Sequence, residues 1–262
     1  MGSHTMSEVI TEREGGCLHI IFNRPERLNA VNEALYQQTL DALRAAETDE
    51  SLRCVVLSGR GRAFCAGADL KAHRSGERSA KDRVDYVMLG QEVCAQIQHM
   101  KLPVIAQVHG YALGGGAEIA TSADFLVMAQ DARIGFPEAA IGTYVGGGVT
   151  QRLPRLVGMR KACELLFLGQ RMTGAEAADC GLASSACPAE DLQETVQQLA
   201  GGLCANAPLS IARIKSALNQ SGAHGDVFRS EARDLLEIMR TADWQEGVRA
   251  FAERRPAEFV GK

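Results

Sequence analysis

The stretch Val104-Ile105-Ala106-Gln107-Val108-His109-Gly110-Tyr111-Ala112-Leu113-Gly114-Gly115-Gly116-Ala117-Glu118 changes character twice over a short distance. It starts as an apolar run of strand type, then meets three consecutive glycines. A helical pattern follows over Ala117–Ser122. A strand that delivers the chain to a helix N-terminus is the local grammar of an α/β protein. Glycines at that junction expose backbone N–H donors, and the helix dipole adds positive potential in front of them. Such a turn suits an oxyanion better than a nucleotide, because no Gly-Lys-Ser/Thr follows and the GxGxxG spacing is absent. Tight helix packing through glycine accounts for the same residues about as well.

Outward from this stretch, further β-rich runs occur at Cys17–Phe22, Cys54–Leu57 and Phe125–Met128, each closed by turn residues or a polar break. Asn32–Ala46 places Leu35, Leu40 and Leu43 at near-helical spacing behind Asn32, an N-cap residue type. Val84–His99 carries another helical pattern, with Pro103 just beyond it. The strands are short, which favours repeated strand–strand–helix turns over a doubly wound sheet. From about Ala207 only helical patterns remain: Pro208–Gln220, Val227–Arg240 and Asp243–Glu253. The expected organisation is therefore an α/β core over residues 1–200 and a helical C-terminal region over 201–262. The charged segment Lys71–Asp85 reads as a mobile loop or an exposed helix start.

Two other constellations bear on chemistry. In Phe64-Cys65-Ala66-Gly67-Ala68-Asp69-Leu70-Lys71, the small residues Ala66, Gly67 and Ala68 let a ligand approach the backbone closely. A plain strand-to-helix turn is the ordinary alternative. In Ile134-Gly135-Phe136-Pro137-Glu138, the acid lies in a mostly apolar stretch. Desolvation there would raise its pKa and let it hold or release a proton near neutrality, although a surface loop glutamate is the commoner case. Taken together, the chain offers two carboxylates, Glu118 and Glu138, and two turns rich in unencumbered N–H groups. Thioester enolate chemistry asks for this set. Donors stabilise charge developing on the thioester oxygen, and two acids in different environments divide the proton transfers.

Composition narrows the field. The 262 residues are 46% hydrophobic and 23% charged, as expected of an ordinary globular chain. A net charge of -4 lacks the basic surplus of a nucleic-acid-binding protein. Arg74, Arg78, Lys81 and Arg83 alternate with Glu77, Asp82 and Asp85, so no basic face forms there either. The 8 cysteines include no CxxC pair and read as reduced, mostly buried thiols. The 6 histidines show no metal-ligand spacing, so no metal is expected. His109 reads as structural and Cys65 as a small packing residue. No G-x-S-x-G elbow occurs. No apolar run is long enough for a membrane span and no signal-peptide pattern appears, so the expected location is cytoplasmic. Met1-Gly2-Ser3-His4 reads as a vector-derived leader, with Met6 as the expected native start.

The runs FCAGADLK (64–71), GYALGGGAEIA (110–120), FPEAAIGTYVGGGVTQRL (136–153) and AFAERRPAEFVGK (250–262), with Asn23-Arg24-Pro25-Glu26-Arg27-Leu28-Asn29-Ala30, resemble the crotonase, or enoyl-CoA hydratase/isomerase, superfamily. The resemblance implies a spiral of ββα turns with a helical C-terminal region, assembled as trimers or dimers of trimers. It implies an acyl-CoA thioester as substrate, with no cofactor beyond the coenzyme A that the substrate carries. The backbone N–H groups of Ala68 and Gly115 fall at the family's oxyanion-hole positions, and Glu118 and Glu138 at its two catalytic acid positions. Leu28, Ala66, Asp69, Leu70 and Lys71 fall where members line the CoA pocket, and Gly146 lies beside the acyl group. Having both acids resembles a hydratase, which adds water across a 2-enoyl-CoA; isomerases commonly keep one. One departure is Val145, after Tyr144, where hydratases often have a proline. This leaves a branched or functionalised substrate, of the methylglutaconyl-CoA kind, as an alternative beside an isomerase. A non-catalytic or RNA-binding member is the different-class alternative.

Overall fold

The computed structural model describes residues 7–69, 79–219, 241–253 and 255–262. Strands β1 (Val9–Glu14) and β2 (Cys17–Phe22) form an antiparallel hairpin that turns at Gly15, whose φ is 56°. β2 then continues in parallel with β3 (Cys54–Gly59), β4 (Val104–Val108), β6 (Phe125–Ala129) and β9 (Ser185–Cys187). These make a 6-stranded sheet in the order β1-β2-β3-β4-β6-β9. β5 (Tyr111–Leu113), β7 (Arg133–Gly135) and β8 (Arg171–Thr173) form a second, 3-stranded sheet in the order β5-β7-β8. Cys54–Leu57 is buried at every position, as a parallel strand covered on both faces requires.

The chain turns corners between the two sheets. β4 passes through Gly110 into β5 and then into helix α3 (Gly115–Ser122); β6 passes into β7 and, after a 3-10 turn at Glu138–Ile141, into α4 (Val149–Val157). These are the expected strand–strand–helix turns. The strands found at the sequence level differ from the observed ones by two residues at most. The structure adds β1 and four strands of only 3 residues, β5, β7, β8 and β9.

Helix α1 (Glu33–Thr48) begins as expected. The Asn32 side chain accepts from the Leu35 N–H at 2.8 Å, and Leu35, Tyr36, Leu40 and Leu43 face the core. α2 (Ala80–His99) starts one turn earlier than its apolar pattern, because Ser79 and Asp82 form a capping box ahead of Val84. Residues 79–85 are thus the helix start allowed for the charged segment, and 71–78 lie outside the described residues. α5 (Met159–Phe167) and α6 (Gly174–Asp179) follow α4.

Among the described residues, only helices and 3-10 turns follow β9. α7 (Leu192–Cys204) spans the expected boundary at 200/201, then come α8 (Pro208–Asn219) and α9 (Ala242–Glu253). The helix expected at Val227–Arg240 lies outside the described residues. α8 is tied to the core by Lys215, whose ammonium donates to the carbonyls of Ile97 and Leu102, both at 2.8 Å, and to Asp124 at 2.6 Å. Three acceptors for three N–H bonds leave this buried cation fully satisfied. Among the described residues, no helix is long and apolar enough to cross a membrane.

Candidate active site

The two donor turns meet through their glycines. A parallel bridge joins Val31 to Ala68: the Val31 N–H donates to Gly67 O at 2.8 Å and Asp69 N–H donates to Val31 O at 3.1 Å. In a parallel bridge the middle residue's own N–H points the other way, so Ala68 N–H faces away from Val31. A second bridge, Cys65 to Ala112, lays this turn along β5. A Cβ on Gly67 would meet Leu113 O at 2.7 Å and Gly114 Cα at 3.7 Å. Only glycine fits there, and its φ of 94° requires one as well. Gly114, with φ 52° and ψ -125°, then turns the chain into α3 so that Gly115 is its first residue. Among the described residues, no backbone carbonyl accepts from Ala68 N–H or Gly115 N–H. The turns that carry these two N–H groups, one of them at a helix N-terminus, are brought together where Gly67 meets Gly114.

Glycine also serves the packing alternative. A Cβ on Gly116 would lie 2.3 Å from Cys65 O, so α3 sits against the first turn backbone to backbone. Donor exposure and tight packing therefore operate at adjacent positions of one glycine run.

Glu138 faces this junction, and Glu118 stands one turn along α3 from it. Glu138 is buried, at 6% exposure, and its Oε1 lies 2.9 Å from where a Cβ on Gly114 would stand. Its Oε2 is buried with no hydrogen-bond partner among the described residues. Burial pushes its pKa up to about 7; its own backbone N–H offsets part of that, and the charge of Glu118 adds to it. Glu118 sits one turn into α3, half-buried, with Oε1 accepting from Gly146 N–H at 2.6 Å. Burial raises its pKa too, opposed by the Gly146 N–H and by the charge of Arg152.

Several supporting residues carried no functional signal in the sequence. The Gly147 peptide is clamped at both ends: its N–H donates to Gln91 Oε1 at 3.0 Å, and its carbonyl accepts from Arg152 Nη2 at 3.0 Å. The same Nη2 reaches Ser122 Oγ at 3.0 Å, linking the clamp to the end of α3. Nε and Nη1 of Arg152 are buried without partners among the described residues, and the guanidinium is a cation near Glu118. Asn29, fully buried with φ 54°, donates to Ala63 O at 2.7 Å and Arg60 O at 3.0 Å and accepts from Arg24 N–H at 2.8 Å. It holds together the two loops flanking the first donor turn. A charge after three glycines, or an amide on a helix, ordinarily reads as a solvated surface residue, so only the fold identifies these roles.

The other expected site residues are placed as follows. Leu28 adopts a left-handed conformation with φ 51°, and its carbonyl accepts from Ala66 N–H at 3.0 Å, which brings those two together. The Asp69 carboxylate pairs with Arg24 at 3.2 Å. Gly146 lies against Glu118, 3.1 Å from the position of its Cβ to Glu118 Oε2. Leu70 and Lys71 lie outside the described residues. Tyr144 is 79% exposed, while Val145 packs partly against the core. His109 Nε2 is 2.8 Å from Gly61 O, a structural contact, and Cys65 is buried with its thiol pushed up to about 12, as befits a packing residue.

The family model for enoyl-CoA hydratase/isomerase matches residues 12–262. The chain belongs to that family. It is 36% identical to the 2,3-dehydroadipyl-CoA hydratase of Escherichia coli (strain K12) over 260 residues, covering 98% of this chain and 100% of that one. It is also 36% identical to a crotonyl-CoA hydratase of Syntrophomonas wolfei, covering 97% and 98%. The crystal structure of an enoyl-CoA hydratase from Bacillus anthracis superposes with a TM-score of 0.91 at 31% identity, covering 97% of this chain and 100% of that chain. The two-sheet architecture with its ββα turns is thus the crotonase fold.

Proposed function

We infer that the protein is an enoyl-CoA hydratase that adds water reversibly, in syn fashion, across the 2,3 double bond of a 2-enoyl-CoA. The observation that carries this reading is the pair of desolvated carboxylates beside two unpartnered backbone donors. The thioester oxygen accepts from Ala68 N–H and Gly115 N–H, which draws electron density out of the double bond and leaves C3 electrophilic. A water held between the acids loses a proton to Glu118 as its oxygen bonds to C3. Glu138 delivers a proton to C2 as the enolate collapses. Donors placed where the oxyanion develops act on the barrier rather than on binding; each is worth on the order of 3 kcal/mol. The reaction is redox-neutral and conserves every atom of water and substrate, so the coenzyme A carried by the substrate is the one cofactor it involves.

The acyl group is the finer question. The similar proteins named above hydrate crotonyl-CoA and 2,3-dehydroadipyl-CoA, and Tyr144-Val145 faces this family's acyl side without the usual proline. A panel of straight, branched, aromatic and carboxylated 2-enoyl-CoAs, followed by loss of the enoyl thioester absorbance, ranks these substrates. Hydration of none of them overturns the hydratase reading. Glu118→Gln and Glu138→Gln should each lower turnover by orders of magnitude, and near-parental turnover in either overturns the two-acid mechanism.

Assembly as a trimer or dimer of trimers belongs to the same reading. It is supported by large apolar side chains left exposed on α5 and the C-terminal helices: Met159, Phe167, Ile214, Leu218 and Trp244. Light scattering on the eluted protein measures it, and a monomer at working concentration overturns it. The reading also places the enzyme in the cytoplasm, where its thiols stay reduced.

A further inference from the structure

A group of cysteines gathers away from the acyl-CoA chemistry. Cys17 opens β2 and Cys54 opens β3, and the two are register partners across the parallel pair. Cys204 closes α7, and its Sγ stands 3.8 Å from Cys54 Sγ although the residues are 150 positions apart. Cys54 is fully buried and Cys17 nearly so, whereas Cys204 is partly exposed. Cys204 is also crowded by the β1–β2 turn. A Cβ on Gly16 would stand 3.5 Å from its Sγ and 3.1 Å from Arg53 Cγ, so the thiol and the Arg53 stem share one small surface.

The three thiols divide into a centre and two flanks. Cys54 lies within hydrogen-bonding distance of Cys204, and its pKa is pushed up by its two thiol neighbours and by burial. On one flank, Cys17 is lowered to about 6 by the Cys54 thiol and by His19, two residues along the same strand. On the other flank, Cys204 is lowered by the Cys54 thiol and by Arg53. These effects outweigh the carbonyl end of α7, which by itself disfavours a thiolate. Cys65 and Cys94, where desolvation outweighs the groups that lower them, are pushed up to about 12 and serve as internal comparators. A solvent-reachable thiol whose pKa is lowered, 3.8 Å from a buried second thiol, is the arrangement that reacts with two-electron oxidants.

We propose that Cys204 and Cys54 form a reversible oxidation site for hydrogen peroxide, with Cys204 as the attacking sulfur and Cys54 as the resolving thiol. The Cys204 thiolate attacks one peroxide oxygen, the O–O bond breaks, and hydroxide leaves a sulfenic acid. Cys54 Sγ then attacks the Cys204 sulfur, the S–O bond breaks and the Cys54 proton leaves with the departing hydroxide as water, while the hydroxide of the first step takes up the proton that Cys204 had released. Two thiols lose two electrons in all, and one peroxide becomes two waters. Forming the bond requires the sulfurs to close from 3.8 Å to about 2.05 Å. Cys204 is the member placed to move, at the helix end where the chain leaves α7. The disulfide would fasten the sheet to the helix that leads into the C-terminal region.

The test uses the full chain. The reduced protein is exposed to stoichiometric hydrogen peroxide, alkylated, digested without reduction and analysed by mass spectrometry. A Cys54–Cys204 linked peptide is expected, with an intact mass lower by two hydrogens and restored by dithiothreitol. Linkage should vanish in Cys204→Ser and persist in Cys17→Ser and Cys65→Ser. Since Cys54→Ser alters a core position, Cys204→Ser at the partly exposed position is the deciding variant, with circular dichroism as its folding control. Accumulation of Cys204 sulfinic acid without a crosslink overturns the proposal. So does a linkage through other cysteines, or no linkage under peroxide that oxidises a free-thiol peptide in the same tube.

Discussion

Replacing Glu138 by glutamine removes a buried ionisable group and keeps its shape. In the folded chain this carboxyl titrates at about 7 against an ordinary 4.5. Between those values the folded protein holds a proton that the unfolded chain has lost. Stability therefore falls as pH rises from 4.5 through about 7, and the loss levels off above that. At about 1.36 kcal/mol per pH unit, the penalty is roughly 3 kcal/mol at about pH 8 and under about 1 kcal/mol at about pH 5. Glutamine carries no such term. Glu138→Gln should thus gain about 2.5 kcal/mol more stability over the parent at about pH 8 than at about pH 5. The cost of placing an amide where Oε2 has no partner is the same at both pH values and cancels in the comparison. Urea unfolding of both proteins at one fixed concentration measures it, since association would otherwise shift the midpoints. A stability difference that does not change with pH refutes the claim that Glu138 is desolvated and largely protonated near neutrality.

Three further outcomes follow from the same geometry. The pH profile of kcat/KM for hydration should fall tenfold per pH unit above about 7, as the last proton leaves the glutamate pair. Hydration exchanges no net proton, so the dehydration profile should have the same shape, and a flat profile well into the alkaline range contradicts the scheme. Gly114→Ala forces a side chain onto φ 52° and drives its Cβ to 2.9 Å from Glu138 Oε1. Backbone strain of about 1–3 kcal/mol and displacement of the Gly115 donor should lower kcat on the order of 100-fold, with circular dichroism unchanged. Arg152→Met removes the cation that lowers the Glu118 pKa, so the acid limb of the rate profile should move to higher pH, while Arg152→Lys restores it. An unmoved limb in Arg152→Met means that Arg152 acts through packing alone.

Much of the fold was legible because its signals are local. Cys17–Phe22 and Val104–Val108 are apolar runs cut off by turn residues, and both strands begin and end where the pattern does. β5, β7, β8 and β9 were not legible, because 3 residues give no periodicity. Each exists through pairing with a distant partner, such as Tyr111–Leu113 against Arg133–Gly135. α2 began early for a related reason: its first turn is held by the Ser79–Asp82 box and carries no apolar stripe. At the site, the glycines and the two acids stood out by residue type. Gln91, Arg152 and Asn29 did not, since each matters through a backbone group that only the fold brings within reach.

The unequal environments of the two acids argue for their roles. Burial raises the pKa of both, so burial alone does not distinguish them. The difference lies in what stabilises the charged form. Glu118 accepts a 2.6 Å hydrogen bond from Gly146 N–H and feels the Arg152 cation, which Gly147, Ser122 and Thr121 hold at the end of α3. Glu138 has an oxygen with no donor among the described residues and the charge of Glu118 working against its own ionisation. The first proton lost from the pair therefore leaves Glu118, and the second stays on Glu138 until about pH 7. A water held between them, as the proposed mechanism has it, would meet a carboxylate on one side and a carboxylic acid on the other. On the proposed mechanism, this asymmetry fits Glu118 as the base and Glu138 as the acid in the hydration direction. In dehydration the proton has crossed, and the same singly protonated pair runs the reaction backwards.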